Sequence, residues 1–291
     1  MRACAISERW IQADSRHQLL QVILFHMRQS EWTIQQRFLN KTIFITVDPA
    51  NLEAMLNSKA RDYSISPRHQ VAAPLSGDGV FTLDGEAWRR SRARIRPHLA
   101  HGHYEDLSPM QQPVDDLLAA MSRSADAGDV KTVDLQPLFF GLTLDVTTSL
   151  LLGESIRSLA SGVDSPERAF ADALDRGLGF LARRFRLPGL HWLVGGRAWR
   201  RACADVHAFI DGVVDRNLAK AAAAGGEKKP SFPSRVAEAC PDREALRGQI
   251  VNVLGAGRDT TACFLSRTFF VLVRHPDALS KLRTEIANTP I

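Results

Sequence analysis

From Arg243 to His275 the chain runs 33 residues without a proline. Its apolar residues recur at helical spacing, which predicts a single helix about 50 Å long at 1.5 Å per residue. A rod of that length crosses a whole domain, so the other elements must pack around it. Its apolar stretches, Ile250–Leu254 and Phe264–Val273, flank Gly255-Ala-Gly-Arg-Asp-Thr-Thr261. Two glycines cost about 1 kcal/mol each relative to alanine inside a helix, and adjacent threonines add side-chain strain. Local rules are broken most often at functional positions. Small residues let a flat group approach the backbone. The Thr260 hydroxyl can bond the Ala256 carbonyl, loosening the ladder and opening a groove, and Asp259 sets a carboxylate beside it. The alternative is a kink between packed helices, with Asp259 paired to a neighbouring arginine.

The remaining segments predict a mainly α fold with a small β element near the N-terminus. Helices are expected at His17–Ser30, Glu86–Arg94, Ser108–Ser122, Leu135–Leu152, Pro166–Phe185 and Gly196–Ala222, and a last one from about Asp277. Thr42-Ile-Phe-Ile-Thr-Val47 is rich in β-branched residues and reads as a strand. Asp48-Pro49 then offers an N-cap and a first-turn proline for a short helix through Leu56. Gly77-Asp-Gly79 and Asp84-Gly85 mark turns, and Ala221–Pro230 is the best exposed connection.

Composition narrows function mainly by exclusion. Four cysteines in 291 residues, none in a Cys-x-x-Cys, exclude a disulfide scaffold and a paired-cysteine zinc site. The longest early apolar run, Leu19–Phe25, is too short to span a bilayer, and no signal peptide or membrane anchor is read. An intracellular location is expected. A net charge of +5, from 37 basic and 32 acidic residues, is weak evidence for a polyanionic partner, and no nucleic acid is expected. Arg183, Arg184, Arg186, Arg197, Arg200 and Arg201 interleave with Phe185, Trp192 and Trp199. That stretch reads as a helix pair with snorkelling arginines, or as a face making peripheral membrane contact. Walker, Gly-x-Ser-x-Gly and His-Glu-x-x-His motifs are absent.

A second constellation is Trp88-x-x-x-Arg92, four apart and hence on one helix face. Both side chains are pure hydrogen-bond donors, and two donors on one face suit a carboxylate held in a fixed place. A half-buried Trp covered by an Arg is the plainer reading.

Together these segments resemble the cytochrome P450 family of haem-thiolate monooxygenases. Ala256–Thr261 is similar to its oxygen-binding helix signature and Trp88-x-x-x-Arg92 to its haem-propionate clamp. Leu142–Ser155, Ile43–Leu56 and Gly79–Pro97 resemble the fungal branches that hydroxylate alkanes and fatty acids. The resemblance runs from about His17 to Asn288 and implies one partial domain over residues 1–291. It implies haem b and an apolar small-molecule substrate. It also implies electrons from NADPH-cytochrome P450 reductase, and family members are usually bound to the endoplasmic-reticulum membrane. Carried over by position, Thr260 is the threonine that steadies dioxygen, with Asp259 as the acid feeding it. Ala256 and Gly257 lie over the haem face, and Trp88 and Arg92 hold a propionate. Helical phase adds Val253, Leu254 and Cys263 on the substrate side. The family's axial ligand is a cysteine in a Phe-x-x-Gly-x-x-x-Cys-x-Gly loop, which this sequence lacks. Its Glu-x-x-Arg after the oxygen-binding helix is lacking too. His98, His101 and His103 cluster after the clamp but match no known ligand position. No metal ligand is therefore assigned. The chain reads as a trimmed monooxygenase, not active alone; the alternative is a haem-free, non-catalytic helical remnant or binding module.

Overall fold

The computed structural model describes residues 12–13, 16, 18–30, 32–38, 41–65, 67–99, 107–125, 132–187, 189–223 and 242–289. Cys4, Cys240, His101 and His103, and the predicted connection beyond residue 223, lie outside them. The backbone groups into two compact units, Met1–Ser64 and Ile65–Ile291.

In the first unit, α1 (Leu19–Met27) precedes an antiparallel hairpin of β1 (Thr33–Phe38) and β2 (Lys41–Thr46), registered with Ile34 opposite Ile45. The strand predicted at Thr42–Val47 is β2, shifted by one residue. Its partner β1 escapes sequence reading because Gln35, Gln36 and Arg37 break the apolar pattern. Asp48 caps α2 (Pro49–Glu53) as predicted, accepting from the Ala50 and Asn51 N–H groups at 2.8 and 3.3 Å. A π-helical turn over Ala54–Ser58 continues it.

The second unit is helical among the described residues. It comprises α3 (Arg68–Ser76), α4 (Gly85–Ile95), α5 (Ser108–Ala125), α6 (Leu135–Leu152), α7 (Pro166–Phe185), α8 (Gly196–Ala223), α9 (Arg243–Leu272) and α10 (Pro276–Asn288). The termini of α6 and α7 fall where the sequence places them, because the caps are chemically explicit. Asp134 accepts from the Gln136 N–H at 3.1 Å, and Gly153 closes α6 in the left-handed conformation at φ 74°. Ser165 caps α7 ahead of Pro166, accepting from the Arg168 N–H at 3.1 Å. The helix α3 was not expected, since Pro74 lies inside it. It forms because Val71, Ala72 and Leu75 are buried, and burial outweighs a missing backbone bond.

The predicted long helix is α9, 30 residues and about 45 Å long. It ends before Pro276, as the steric restriction on a pre-proline residue requires. The expected disruption at its glycines does not occur; the α-helix is continuous through Gly255–Thr261. Leu246, Ile250, Val251 and Leu254 enter one core with Leu144 and Leu152 of α6, Phe170 and Leu174 of α7, and Val206 and Ile210 of α8. A second cluster joins Leu117, Phe139 and Ala262. The helix α6 is apolar and long enough, at 18 residues, to cross a membrane by length and composition. Here it is a core helix packed on α5 and α9. Its buried Asp145 accepts from the Ser158 and Leu159 N–H groups at 2.7 and 3.3 Å.

Polar stitching fixes the turn before α4 to α9. Asn252 donates to the Ser76 carbonyl at 2.7 Å and accepts from the Phe81 N–H at 3.0 Å. Gly77, at φ 63°, and Gly248 let the two backbones touch: a methyl on Gly248 would sit 2.7 Å from the Asp78 carbonyl oxygen. Ser91 and Gln249 exchange hydrogen bonds of 3.0 and 2.8 Å, locking α4 beside α9. Gly248→Ala is therefore expected to cost about 1–3 kcal/mol by overpacking, read as a lowered unfolding midpoint. An unchanged midpoint would refute the close approach.

The loop after α6 is held by a second device. Arg157 adopts φ 52° and clamps Asp116 with bonds of 2.9 and 2.8 Å. This guanidinium holds the Asp116 carboxyl below the ordinary aspartate range. A lowered folded value means the stabilisation is present above about pH 3.9 and is lost as pH falls through the lowered value. Asp116→Asn should then be less stable than wild type at neutral pH, with the gap closing in acid. Denaturant unfolding across pH checks this; a gap independent of pH would contradict it.

Candidate functional site

The candidate site grows from one stripe of α9. Taking 100° per residue, Ala256 and Thr260 lie seven and eleven residues beyond Gln249, within about 20° of its direction and about 10 and 16 Å along the axis. Because Ser91 is bonded to Gln249, α4 stands at the foot of this stripe. Trp88 and Arg92, on the adjoining face of α4, are exposed, as is Thr260. The Arg92 guanidinium carbon sits 5.7 Å from the centre of the Trp88 ring. That stacking matches the plainer reading of the pair. Among the described residues no carboxylate pairs with Arg92, so its donors remain available.

Thr260 donates its hydroxyl proton to the Ala256 carbonyl at 2.8 Å, the bond expected from sequence, but with the helix ladder intact. Gly257 has a structural reason: its missing Cβ makes room for α6, where Thr147 would lie 3.1 Å from an added methyl. Ala256 is half-buried between two cavities. One, of about 160 Å³, lies between α3, α7 and α9 and is lined by Leu75, Phe81, Leu174, Leu178 and Gly255. The other, of about 570 Å³, is bounded by α5, α6 and α9 and includes Val253, Gly257 and Thr261.

Asp259 turns away from that stripe. Its carboxylate accepts from the Arg258 guanidinium at 2.9 Å, the pairing with an arginine that the sequence allowed, and the α-helix runs unbroken past it. Burial pushes the Asp259 carboxyl above the ordinary aspartate range, with Arg258 opposing the shift and Asp175 adding to it. Arg258 itself was missed by sequence reading. It is buried, with the ring of Phe140 4.9 Å beneath it and Asp175 of α7 at its other end. The motif spelling offered a signal, since an arginine amid apolar helix needs partners.

Val253, Leu254 and Cys263 do not form one surface. Val253 is half-buried on the larger cavity, Leu254 is fully buried in the core, and Cys263 is exposed. Leu254 therefore has a packing task. Among the described residues no cluster of three or more His, Cys, Asp or Glu can hold a metal ion. Burial pushes the Cys203 thiol up to about 12, so it is a neutral core thiol rather than a thiolate. The basic, aromatic stretch splits in two. Trp199 and Arg184 turn inward and stack at 4.8 Å, whereas Phe185, Trp192 and Leu193 are exposed.

Fold and site together define a helical protein built around one long core helix, with an exposed threonine stripe and a donor pair beside it. The family profile for Cytochrome P450 matches residues 9–289. The chain belongs to the cytochrome P450 family. It is 36% identical over 288 residues to "Cytochrome P450" of Arthroderma benhamiae, covering 96% of this chain and 53% of that one. It is 37% identical to "Cytochrome P450 52A5" of Candida maltosa, covering 83% and 47%. With "Cytochrome P450 monooxygenase fsdH" of Fusarium heterosporum it shares 34%, covering 93% and 49%. The chain thus spans about half the length of the curated relatives it matches. The crystal structure of the cytochrome P450DA heme domain has the same fold, with a TM-score of 0.70 at 20% identity over 90% of this chain and 57% of that one.

Gly257→Val should cost about 1–3 kcal/mol through its clash with Thr147. Thr260→Ala, on an exposed face, should change stability by less than about 0.5 kcal/mol. Denaturant unfolding compares them. A large loss from Thr260→Ala would make the threonine a structural residue.

Proposed function

We propose that this chain is a partial cytochrome P450 domain, residues 1–291, carrying the oxygen-side half of a haem-dependent monooxygenase that hydroxylates an apolar substrate. The observation that carries the reading is the Ser91–Gln249 pair, which sets the Trp88 and Arg92 donors at the foot of the Ala256–Thr260 stripe. An exposed pair of pure donors without a carboxylate partner among the described residues fits a haem propionate, and the small Ala256 of the same stripe fits a flat ring; haem b therefore fits this half of its pocket. When bound, haem supplies the activation of dioxygen and the insertion of one oxygen atom into a C–H bond.

The chain's own residues have separate tasks on this reading. Trp88 and Arg92 hold a propionate, and Ala256 keeps the α9 backbone open to close approach, while Gly257 seats Thr147 of α6. The Thr260 hydroxyl, now on the Ala256 carbonyl, turns to donate on the open face. Asp259 replaces that proton; a carboxyl held above its usual range keeps its proton closer to neutral pH, which suits an acid in a relay. The apolar cavity beside Ala256, rather than Leu254 or Cys263, offers the substrate recess. Val253 borders the α5–α6 side. The axial cysteine is not supplied by this sequence, so the chain is not proposed to turn over alone. Electrons come from NADPH-cytochrome P450 reductase in the complete system. Exposed Phe185, Trp192 and Leu193, bordered by Arg186 and Arg197, support peripheral contact with a membrane surface inside the cell.

Haem titrated into the chain and followed in the Soret region tests the clamp. Arg92→Ala should weaken uptake by about tenfold, the worth of a charge-assisted bond. Trp88→Leu should act in the same direction. Equal uptake by wild type and both variants, or none by any, would overturn the assignment.

A further inference from the structure

The residue between the glycine pair and the Asp259–Thr260 pair of α9 has no task in the reading above, yet it is the most committed side chain in the region. Arg258 is 4% exposed on its side chain. Its Nε is buried without a hydrogen bond among the described residues. One end of its guanidinium donates to Asp259 at 2.9 Å, the other donates to Asp175 on α7, and its face lies 4.9 Å from the Phe140 ring centre of α6. One buried cation is therefore shared by two carboxylates on two helices. Each carboxylate is partly exposed, at 41% for Asp259 and 58% for Asp175, whereas the arginine between them is enclosed.

We propose that Arg258 is the positioning residue that holds the Asp259 carboxylate, and that Asp175 sets the strength of that hold from α7. The inference rests on the reading of Asp259 as the acid of this site, and it adds the regulation of that acid. The charged groups that face Asp259 are few. Arg258 comes from its own helix and Asp175 from α7. Further along α7, Arg168 and Asp172 pair with each other at 3.3 Å. The helix α6 brings the Phe140 ring, and its one charged residue, Asp145, is spent on the Ser158 and Leu159 N–H groups. Among the described residues the charges acting on Asp259 are thus one attraction and one repulsion joined through a single guanidinium, on top of the burial that raises its carboxyl. Leu174 and Leu178, flanking Asp175 on α7, line the apolar cavity beside Ala256. An occupant that shifts α7 there draws Asp175 towards or away from Arg258 and so changes the charge on Asp259.

The two arms of this device have opposite signs, which separates it from a merely structural ion pair. Arg258→Gln and Asp175→Asn break the same bond between α7 and α9. Removing the cation leaves the Asp259 anion less favoured, so its titration midpoint should rise. Removing Asp175 deletes a like charge and frees Arg258 for Asp259, so the midpoint should fall. Arg258→Lys should lie between wild type and Arg258→Gln. The full chain with ¹³C-labelled aspartate carboxyls, titrated by NMR and assigned by the signal lost in Asp259→Asn, gives the four midpoints, of wild type and the three variants. Shifts of the same sign in both variants, or none, would overturn the proposal. If Arg258→Gln fails to fold, Asp175→Asn at its exposed position still decides, since a rise or no change there is contrary. The titration needs no haem. A failure of the monooxygenase reading would show in haem uptake instead, and the two failures remain distinguishable.

Discussion

Everything that could make this fold a site depends on the contact of α9 with the Ser76–Phe81 turn and with Ser91. Gly248 removes the side chain that would hold the turn away, and Asn252 then satisfies a carbonyl and an N–H of that turn with its two amide ends. Gln249 reaches Ser91 from the next position. Polar groups in such a buried seam must all be bonded, so the seam allows one register only. That register brings the Trp88 and Arg92 face of α4 to the stripe that ends in Thr260. Without it, α4 would be a charged surface helix and α9 an ordinary core helix.

The glycines and threonines of α9 are often read as a weak spot in the ladder. Here they leave the helix unbroken and serve contacts instead. Gly257 admits Thr147 of α6, Gly248 admits the turn, and Thr260 returns its hydroxyl to its own backbone. The strain expected from composition is thus spread into packing with α6 and the turn. Asp259 and Arg258 use the adjacent face and link α9 to α7, so the turn that holds Gly257 addresses both α6 and α7.

Legibility from sequence followed the chemistry of each feature. The ends of α6 and α7 were readable because Asp134, Gly153, Ser165 and Pro166 are cap residues whose function is local. The helix α3 was not readable, because its stability comes from tertiary burial of Leu75 around an internal proline. Strand β1 was hidden for a similar reason: its polar residues pair through backbone with β2. The sites divide the same way. Thr260 and its bond to Ala256 were visible as a spacing of four. Leu254 and Cys263 were assigned by helical phase and proved to lie on unrelated faces, one in the core and one exposed. Gln249 and Asn252, and Arg258 at its Asp175 end, carry the long-range contacts, and nothing near them in sequence names those partners.

The Trp88–Arg92 face and the Ala256–Thr260 stripe are proposed to form one haem-facing surface. Amide hydrogen exchange with and without added haem tests it most directly. Added protection is expected in both segments together, with exchange in the core of α8 unchanged. Protection at neither segment, or at one alone, would contradict it.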